Sequence, residues 1–274
     1  MSDVVDVSVI LPCYRAGELV RGSVALLEEC LRPGPWSYEI IVVDDGGGDV
    51  TAADLAESPF ARTVRLPVNQ GKGAAVRAGL MAARGTARVF TDIDVPYDPD
   101  LILVMASHLR QGYHLVVGDR TLPGSQYAHD IGWRRRLASN AFSFLVGHLV
   151  TGGFYDTQCG LKALRGDVAQ LLAPLLRINR FAFDVELLYV ALKHRLDIKR
   201  VPVRLRRNET SSVRLIRDSS RMLVDVGRLK INQVRGSYDC QPLAMLLSAE
   251  HERHRAAVRQ LLQERPENAG SAAM

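Results

Sequence analysis

Five short apolar runs, separated by stretches with helical spacing, constrain this chain more than any other feature. They are Val7 to Leu11, Glu39 to Val43, Thr63 to Leu66, Arg88 to Thr91 and His114 to Val117. Between them, segments such as Leu19 to Leu31 and Ala74 to Ala83 repeat apolar residues at helical intervals. Strands alternating with helices predict an α/β fold with a mainly parallel central sheet flanked by crossover helices. Most of the runs end in polar or turn-forming residues: Pro12, Asp44-Asp45, Asp92 and Gly118-Asp119-Arg120. One such ending is ordinary turn chemistry. Several at corresponding strand ends mark the carboxyl edge of the sheet, where open parallel sheets bind their ligands.

The second half changes character. Ile131 to Val150 reads as a helix with a basic start (Arg134, Arg135, Arg136) and an apolar end, and Phe181 to His194 as another. Asp197 to Arg207 reads as a strand pair or extended arm, and Ser212 to Arg235 as a long helix. Pro242 can open one more helix up to about Gln263, with the end from Pro266 disordered. There is no internal repeat or low-complexity tract.

Three segments carry chemistry. Thr91-Asp92-Ile93-Asp94 follows a strand-like run, and on a strand residues two apart face the same side, so Asp92 and Asp94 are expected to converge. Two carboxylates suit Mg²⁺ or Mn²⁺, which takes oxygen ligands and completes its shell with phosphates and water. Val43-Asp44-Asp45-Gly46-Gly47-Gly48-Asp49 also follows a strand. Its glycines allow tight turns, and its carboxylates can accept hydrogen bonds from a base edge or ribose hydroxyls. Asn69-Gln70-Gly71-Lys72-Gly73-Ala74-Ala75-Val76-Arg77 is a Gly-rich turn opening a helix. Amides at a helix N-terminus attract anions, and Lys72 and Arg77 add positive charge for a diphosphate. The spacing is not that of a P-loop.

Taken in order, Pro12-x-Tyr14, Asp44-Asp45-Gly46, Gly71-Lys72-Gly73 and Asp92-x-Asp94 resemble the GT-A fold of family-2 glycosyltransferases. Asp156-Thr157-Gln158-Cys159-Gly160-Leu161-Lys162-Ala163, Phe181-Ala182-Phe183-Asp184-Val185-Glu186-Leu187-Leu188-Tyr189 and Val201-Pro202-Val203 narrow the likeness. They are similar to the dolichyl-phosphate β-glucosyltransferase group, with the polyprenyl-phosphate mannose synthases sharing the broader pattern. The resemblance covers about residues 7 to 235. The chain departs from the pattern at Arg15, at Gly47 and in the apolar Val95-Pro96.

The resemblance implies transfer of a hexose, glucose from UDP-glucose, to a polyprenyl or dolichyl phosphate with inversion. It places Pro12, Tyr14, Asp44, Asp45, Gly71, Lys72, Gly73, Arg77 and Asp92 at the nucleotide sugar. Asp92 and Asp94 fall at a metal ion, and Arg120, Arg134, Gln158 and Arg214 at the acceptor. Asp92, Asp94, Asp156 and Arg120 are then the catalytic candidates. Asp156 is the base if the acceptor is a neutral hydroxyl, whereas a phosphate acceptor arrives already anionic and needs none. The expected division is a GT-A domain over 1–236 (nucleotide-sugar half 1–120, acceptor half 121–236) and a C-terminal tail over 237–274. A soluble small-molecule acceptor is one alternative, and a nucleotide-sugar-binding regulator without turnover is another.

The helix from Ser212 to Arg235 divides on a helical wheel. One sector holds Arg214, Arg217, Asp218, Arg221, Asp225, Arg228, Asn232 and Arg235, and the other Leu215, Ile216, Met222, Leu223, Val226, Leu229, Ile231 and Val234. Residues 193–236 hold 13 Lys/Arg against 4 Asp/Glu, a balance of +9 that exceeds the +5 of the whole chain. The apolar sector is expected to pack on the sheet and the arginines to meet a surface or phosphates. Peripheral contact with an anionic membrane, or a membrane-anchoring partner, follows from such a helix. Only 6% of residues are aromatic, so no basic-aromatic platform for nucleic acid is expected. No apolar stretch is long enough to span a bilayer. Met1-Ser2-Asp3 reads as no targeting signal, and Cys13, Cys30, Cys159 and Cys240 lack CxxC spacing. The reading is of a cytoplasmic protein at the inner face of a membrane.

Overall fold

The first strand, β1 (Val5–Cys13), lies inside a seven-stranded sheet of order β3-β2-β1-β4-β6-β5-β7. The computed structural model describes residues 5–126, 156–157, 159–180, 182–206 and 215–263. β2 (Tyr38–Asp44) and β4 (Gly85–Phe90) flank β1 in parallel, with Val9 opposite Ile40 on one side and Val89 on the other. β3 (Ala61–Arg65) runs parallel beyond β2, and β7 (Ile198–Pro202) parallel beyond β5 (Leu115–Asp119). Val7, Val9, Ile10 and Leu11 are all buried, as a strand covered on both faces requires.

Three helices cover the first half. α1 (Gly17–Leu31) buries Val20, Val24, Leu27 and Leu31, and α3 (Asp100–Arg110) buries Ile102, Met105, Ala106 and Leu109. Both follow the three-and-four spacing of one helix face. α2 (Lys72–Ala82) buries Ala74, Ala75, Val76 and Leu80. The chain leaves β1 toward β2 and β3, then returns to the opposite side of β1 as β4. β1 leads on to β2 and β4 to β5, on opposite sides of the β1–β4 pair, and this switch point is where such sheets form a ligand crevice.

The sheet departs from the parallel expectation at one strand. β6 (Lys162–Arg165) is antiparallel to both neighbours, Phe90 of β4 pairing with Lys162 and Val117 of β5 pairing with the same residue. Because β6 runs backwards, the residues that precede it arrive at the carboxyl edge of its neighbours. That brings Gly160 against Asp92 and Asp156 against Arg120. α4 (Gly166–Leu172) and α5 (Phe183–Lys193) follow.

α6 (Leu215–Val234) corrects the expectation for its apolar sector. Leu229 is buried, but so is Asp225, while Val224, Ile231 and Val234 are exposed, Val234 to 88%. The inward line therefore follows Asp225 and Leu229, four apart, and part of the apolar sector faces out. The chain divides into two compact units, Met1–Tyr238 and Asp239–Met274. The second unit contains α7 (Gln241–Gln263), which begins one residue before Pro242. The segment from 131 to 150 lies outside the described residues, as does 264–274.

Candidate active site

β4 stops at Phe90, so Asp92 and Asp94 lie on a turn and not on a strand. Their placement thus owes nothing to strand alternation. The Val95 N–H donates to the Asp92 carbonyl at 3.0 Å, and the Ser23 hydroxyl of α1 donates to the Ile93 carbonyl. Val95 takes a φ of +43°, a left-handed conformation that a β-branched residue adopts only under strain of about 1–3 kcal/mol. The turn is held from both sides. The Asp92 carboxylate, one-third exposed, forms an ion pair with Lys72 at the start of α2. It also lies against Gly160, where an added Cβ would sit 2.2 Å from Asp92 Oδ2.

The Gly-rich turn before α2 does bind an anion, and that anion belongs to the chain. Asp45 accepts N–H groups from Gln70 and Gly71, each at 2.8 Å, and the Asn69 amide at 3.0 Å. The Ala74 N–H donates to the Asn179 carbonyl at 3.2 Å. Gly71 and Gly73 admit protein atoms rather than a ligand: a Cβ on Gly71 would meet the Asn179 carbonyl at 2.5 Å, and one on Gly73 the Ile178 carbonyl at 2.6 Å. Arg77 is five residues on from Lys72, which turns it to another side of the helix. Its guanidinium donates to the Leu176 carbonyl at 2.8 Å and the Asn179 side chain at 2.9 Å. These two bonds tie the 176–179 loop to α2.

Asp44 is similarly inward. Its carboxylate is buried, accepts the Gly47 N–H at 2.8 Å and the Gly48 N–H at 3.2 Å, and takes Arg65 Nε at 3.1 Å. A D-D-G-G-G turn has more backbone donors than nearby acceptors, and short acidic side chains fill that need. Asp44 and Asp45 thus hold the loops that follow β2 and precede α2. Asp49 caps α1 through Gly17 at 2.8 Å. Tyr14 stands exposed at the end of β1 with the Arg15 guanidinium 5.2 Å from its ring centre, and Pro12 is partly buried behind it.

Beyond Asp92 the carboxyl edge carries two further ion pairs. Arg120, just past β5, donates its own N–H to Asp156 Oδ2 at 2.7 Å and a terminal guanidinium nitrogen to Oδ1 at 2.7 Å. Burial alone would raise the Asp156 carboxyl, but the hydrogen bonds and charge of Arg120 hold it below its ordinary value. A carboxylate so placed is a poor base near neutral pH. Asp156 holds Arg120 in place through these bonds.

Lys162 and Asp184 form the other pair, and both are buried. Lys162 Nζ also donates to the Cys159 carbonyl at 2.7 Å and lies 5.8 Å from the Phe90 ring centre. Burial pushes the Asp184 carboxyl up, opposed by Lys162 and Lys72, with Asp92 adding to the rise. The two residues stand in motifs that mark the family likeness, yet nothing in their spacing reveals that β6 and α5 join them. A lysine opening an apolar run was the available signal.

Glu186 on α5 is buried and accepts N–H groups from Arg177 and Ile178 and the Tyr238 hydroxyl at 2.6 Å. It holds the same 176–179 loop that packs on the start of α2. Burial likewise raises the Tyr238 hydroxyl pKa, and the Glu186 carboxylate adds to it. Arg134, Gln158 and Arg214 fall outside the described residues, as do Arg135 and Arg136. The structure therefore gathers Lys72, Asp92, Arg120 and Asp156, together with Lys162 and Asp184, along one edge.

A divalent cation can be tested against this chemistry. Among the described residues no cluster of three His, Cys, Asp or Glu side chains forms. Asp92 already attracts an ammonium, a cation standing where another could bind. The Asp92 carboxylate on its held turn is an oxygen ligand that suits Mg²⁺ or Mn²⁺ when a substrate diphosphate supplies further oxygens. The buried Thr91 hydroxyl, beside Asp92 in the chain, has no hydrogen-bond partner, and the same holds for Thr157 beside Asp156.

Comparison with known proteins finds both sequence relatives and similar folds. The model of the family described as "Glycosyl transferase family 2" matches residues 8–169. A dolichyl-phosphate beta-glucosyltransferase of Dictyostelium discoideum is 30% identical over 250 residues, covering 85% of this chain and 76% of that protein. Its namesake in Drosophila melanogaster is 33% identical over 216 residues, 73% of this chain and 66% of that one. Among solved structures, mannosyl-3-phosphoglycerate synthase from Rubrobacter xylanophilus superposes with a TM-score of 0.60 at 20% identity, covering 86% of this chain and 76% of that one. Glucosyl-3-phosphoglycerate synthase from Mycobacterium tuberculosis, in complex with Mn²⁺, UDP-glucose and phosphoglyceric acid, superposes with a TM-score of 0.59 at 21% identity, covering 82% and 78%. These two likenesses establish the GT-A fold.

Proposed function

This chain belongs to glycosyl transferase family 2, and from that premise we propose that it transfers glucose from UDP-glucose to a polyprenyl or dolichyl phosphate, inverting the anomeric carbon. The observation that carries the reading is the likeness, over 85% of the chain, to a protein named for glucosyl transfer to dolichyl phosphate. The paired charges along the carboxyl edge support it.

In this reading Asp92 and Asp94 would hold Mg²⁺ or Mn²⁺ with the donor diphosphate. The ion, when bound, supplies charge neutralisation for the departing UDP. Lys72 adds a second positive charge at the start of α2. The crevice beside β1 and β4 receives the nucleotide, with the Asp44 and Asp45 loops as its walls and Tyr14 at its mouth. Arg120, fixed by Asp156, directs its guanidinium to the acceptor phosphate on the other side of Asp92. A phosphate monoester is anionic at neutral pH and attacks opposite the leaving group without a protein base.

The acceptor's long apolar chain calls for a membrane surface. Among the described residues no helix is long and apolar enough to cross one. We assign the surface contact to α6, where Val224, Ile231 and Val234 are exposed and Arg228, Lys230 and Arg235 stand among them. Apolar residues with cations beside them suit an anionic lipid interface.

The test is incubation of the chain with radiolabelled UDP-glucose, Mn²⁺ or Mg²⁺, and dolichyl or undecaprenyl phosphate. Label moving into the organic phase, and lost with Asp92→Asn, is the expected result. Label moving instead to a water-soluble acceptor would overturn the lipid reading. UDP-glucose binding without transfer to any acceptor would indicate a regulator.

A further inference from the structure

Lys72 and Asp92 occupy each other in the same crevice that the proposed donor and metal would enter. Lys72 is the first residue of α2, and its backbone surroundings are fixed by Asp45 on the preceding amides and by the Asn179 carbonyl on Ala74. Its side chain reaches Asp92 and is less exposed than its partner's, 18% against 33%. The other buried ammonium at this edge, Lys162, is committed to Asp184 and to the Cys159 carbonyl. Asp184 in turn interacts electrostatically with both Lys72 and Asp92. Of the two ammonium groups, Lys72 is therefore the one placed to move between Asp92 and an incoming anion.

We infer that Lys72 is the resident counter-ion of Asp92, and that a divalent cation displaces it only when a diphosphate arrives to receive the ammonium. The inference rests on the donor reading above and adds an order to it. The charge balance argues the same way. Lys72, Lys162, Asp92, Asp94 and Asp184 set two ammoniums against three carboxylates, a net single negative charge. A divalent cation alone would reverse that sign, whereas cation and diphosphate together leave it unchanged. With no third acidic or imidazole ligand gathered among the described residues, a bare cation must also compete with the ammonium for Asp92. The diphosphate removes the competitor and supplies the missing oxygens. Metal and nucleotide are then coupled ligands, and each strengthens the other by the same factor.

Equilibrium dialysis of Mn²⁺ against the full chain, with and without UDP, tests this without any turnover. Wild type is expected to bind Mn²⁺ about 10-fold more tightly with UDP present, within the usual range of coupling. Lys72→Met is expected to bind Mn²⁺ alone about 10-fold more tightly than wild type, with the enhancement by UDP much reduced. Lys72→Arg, which keeps the charge, is expected to behave as wild type, and Asp92→Asn to lose Mn²⁺ in every condition. An unchanged or weaker affinity of Lys72→Met for Mn²⁺ alone overturns the inference. So does a wild type that binds UDP without any gain in Mn²⁺ affinity. A chain that binds no UDP at all refutes the donor reading instead, and the Mn²⁺-only comparison of wild type with Lys72→Met still decides the role of Lys72.

Discussion

The Asp45 carboxylate accepts the Gly71 N–H at 2.8 Å, so an acid at the end of β2 caps the turn that opens α2. A second amide, from Gln70, and the Asn69 side chain join it. The positive end of α2 is thus neutralised from within, and the loop after β2 is locked to the helix carrying Lys72.

Asp45→Asn keeps the shape but replaces one acceptor oxygen with a donor facing N–H groups. Losing a charge-assisted bond and leaving partly buried amides without an acceptor costs about 1–3 kcal/mol. Chemical denaturation should show that loss. The KM for UDP-glucose is expected to rise more than kcat falls, because the substitution disturbs a binding wall and leaves Asp92 in place.

The pairing of Arg120 with Asp156 predicts a pH signature. The folded-state pKa of Asp156 lies below its ordinary value, so ionisation favours the folded state. That stabilisation is complete above the unfolded pKa of about 3.9 and is lost as pH falls through the lower folded value. Denaturation from pH 7 to pH 3 should show wild type and Asp156→Asn separated by a constant margin above about pH 4, with the gap closing below it. The same variant is expected to transfer glucose more slowly, through a displaced Arg120, with the shape of its pH–rate profile kept. A lost acidic limb in that profile would restore Asp156 as a base.

Most of the parallel sheet was legible because its strands are continuous apolar runs, and all five expected runs became strands. β6 was not, since Lys-Ala-Leu-Arg is four residues long and charged at both ends. Its buried Lys162 is tolerable only beside Asp184, a partner 22 residues away that spacing cannot reveal. The site's order along the chain was legible from its acids and glycines. What those groups touch within the chain was not: Asp44, Asp45 and Arg77 have the residue types of ligand contacts, and spacing could not show that they also hold loops. α6 misled for a related reason, because Asp225 turns inward beside Leu229 and part of the apolar sector turns out.

The Lys162–Asp184 pair yields a stability prediction with an internal control. Lys162→Met strands a buried carboxylate, and breaking such a pair costs about 3–5 kcal/mol. Replacing both residues, as Lys162→Met with Asp184→Leu, removes the stranded charge and is expected to recover most of that loss. Thermal unfolding of the two variants checks it; equal destabilisation would mean that the pair contributes packing rather than charge compensation.

Gly160 separates stability from activity most sharply. A Cβ there would lie 2.2 Å from Asp92 Oδ2, nearer than atoms can approach, and the atom it meets is the free end of a side chain. The backbone need not move, because the carboxylate can rotate away. Gly160 is itself buried, so Gly160→Ala is expected to cost the roughly 1–3 kcal/mol of an overpacked site while the fold is kept. The displaced carboxylate is the one proposed to meet the metal, and a misplacement of about 1 Å at a reacting centre can cost about 100-fold in rate. The expected phenotype is a folded protein with a modestly lowered thermal midpoint and kcat reduced by about two orders of magnitude. A Gly160→Ala variant with full activity would show that Asp92 can leave its place against Gly160 without consequence for transfer.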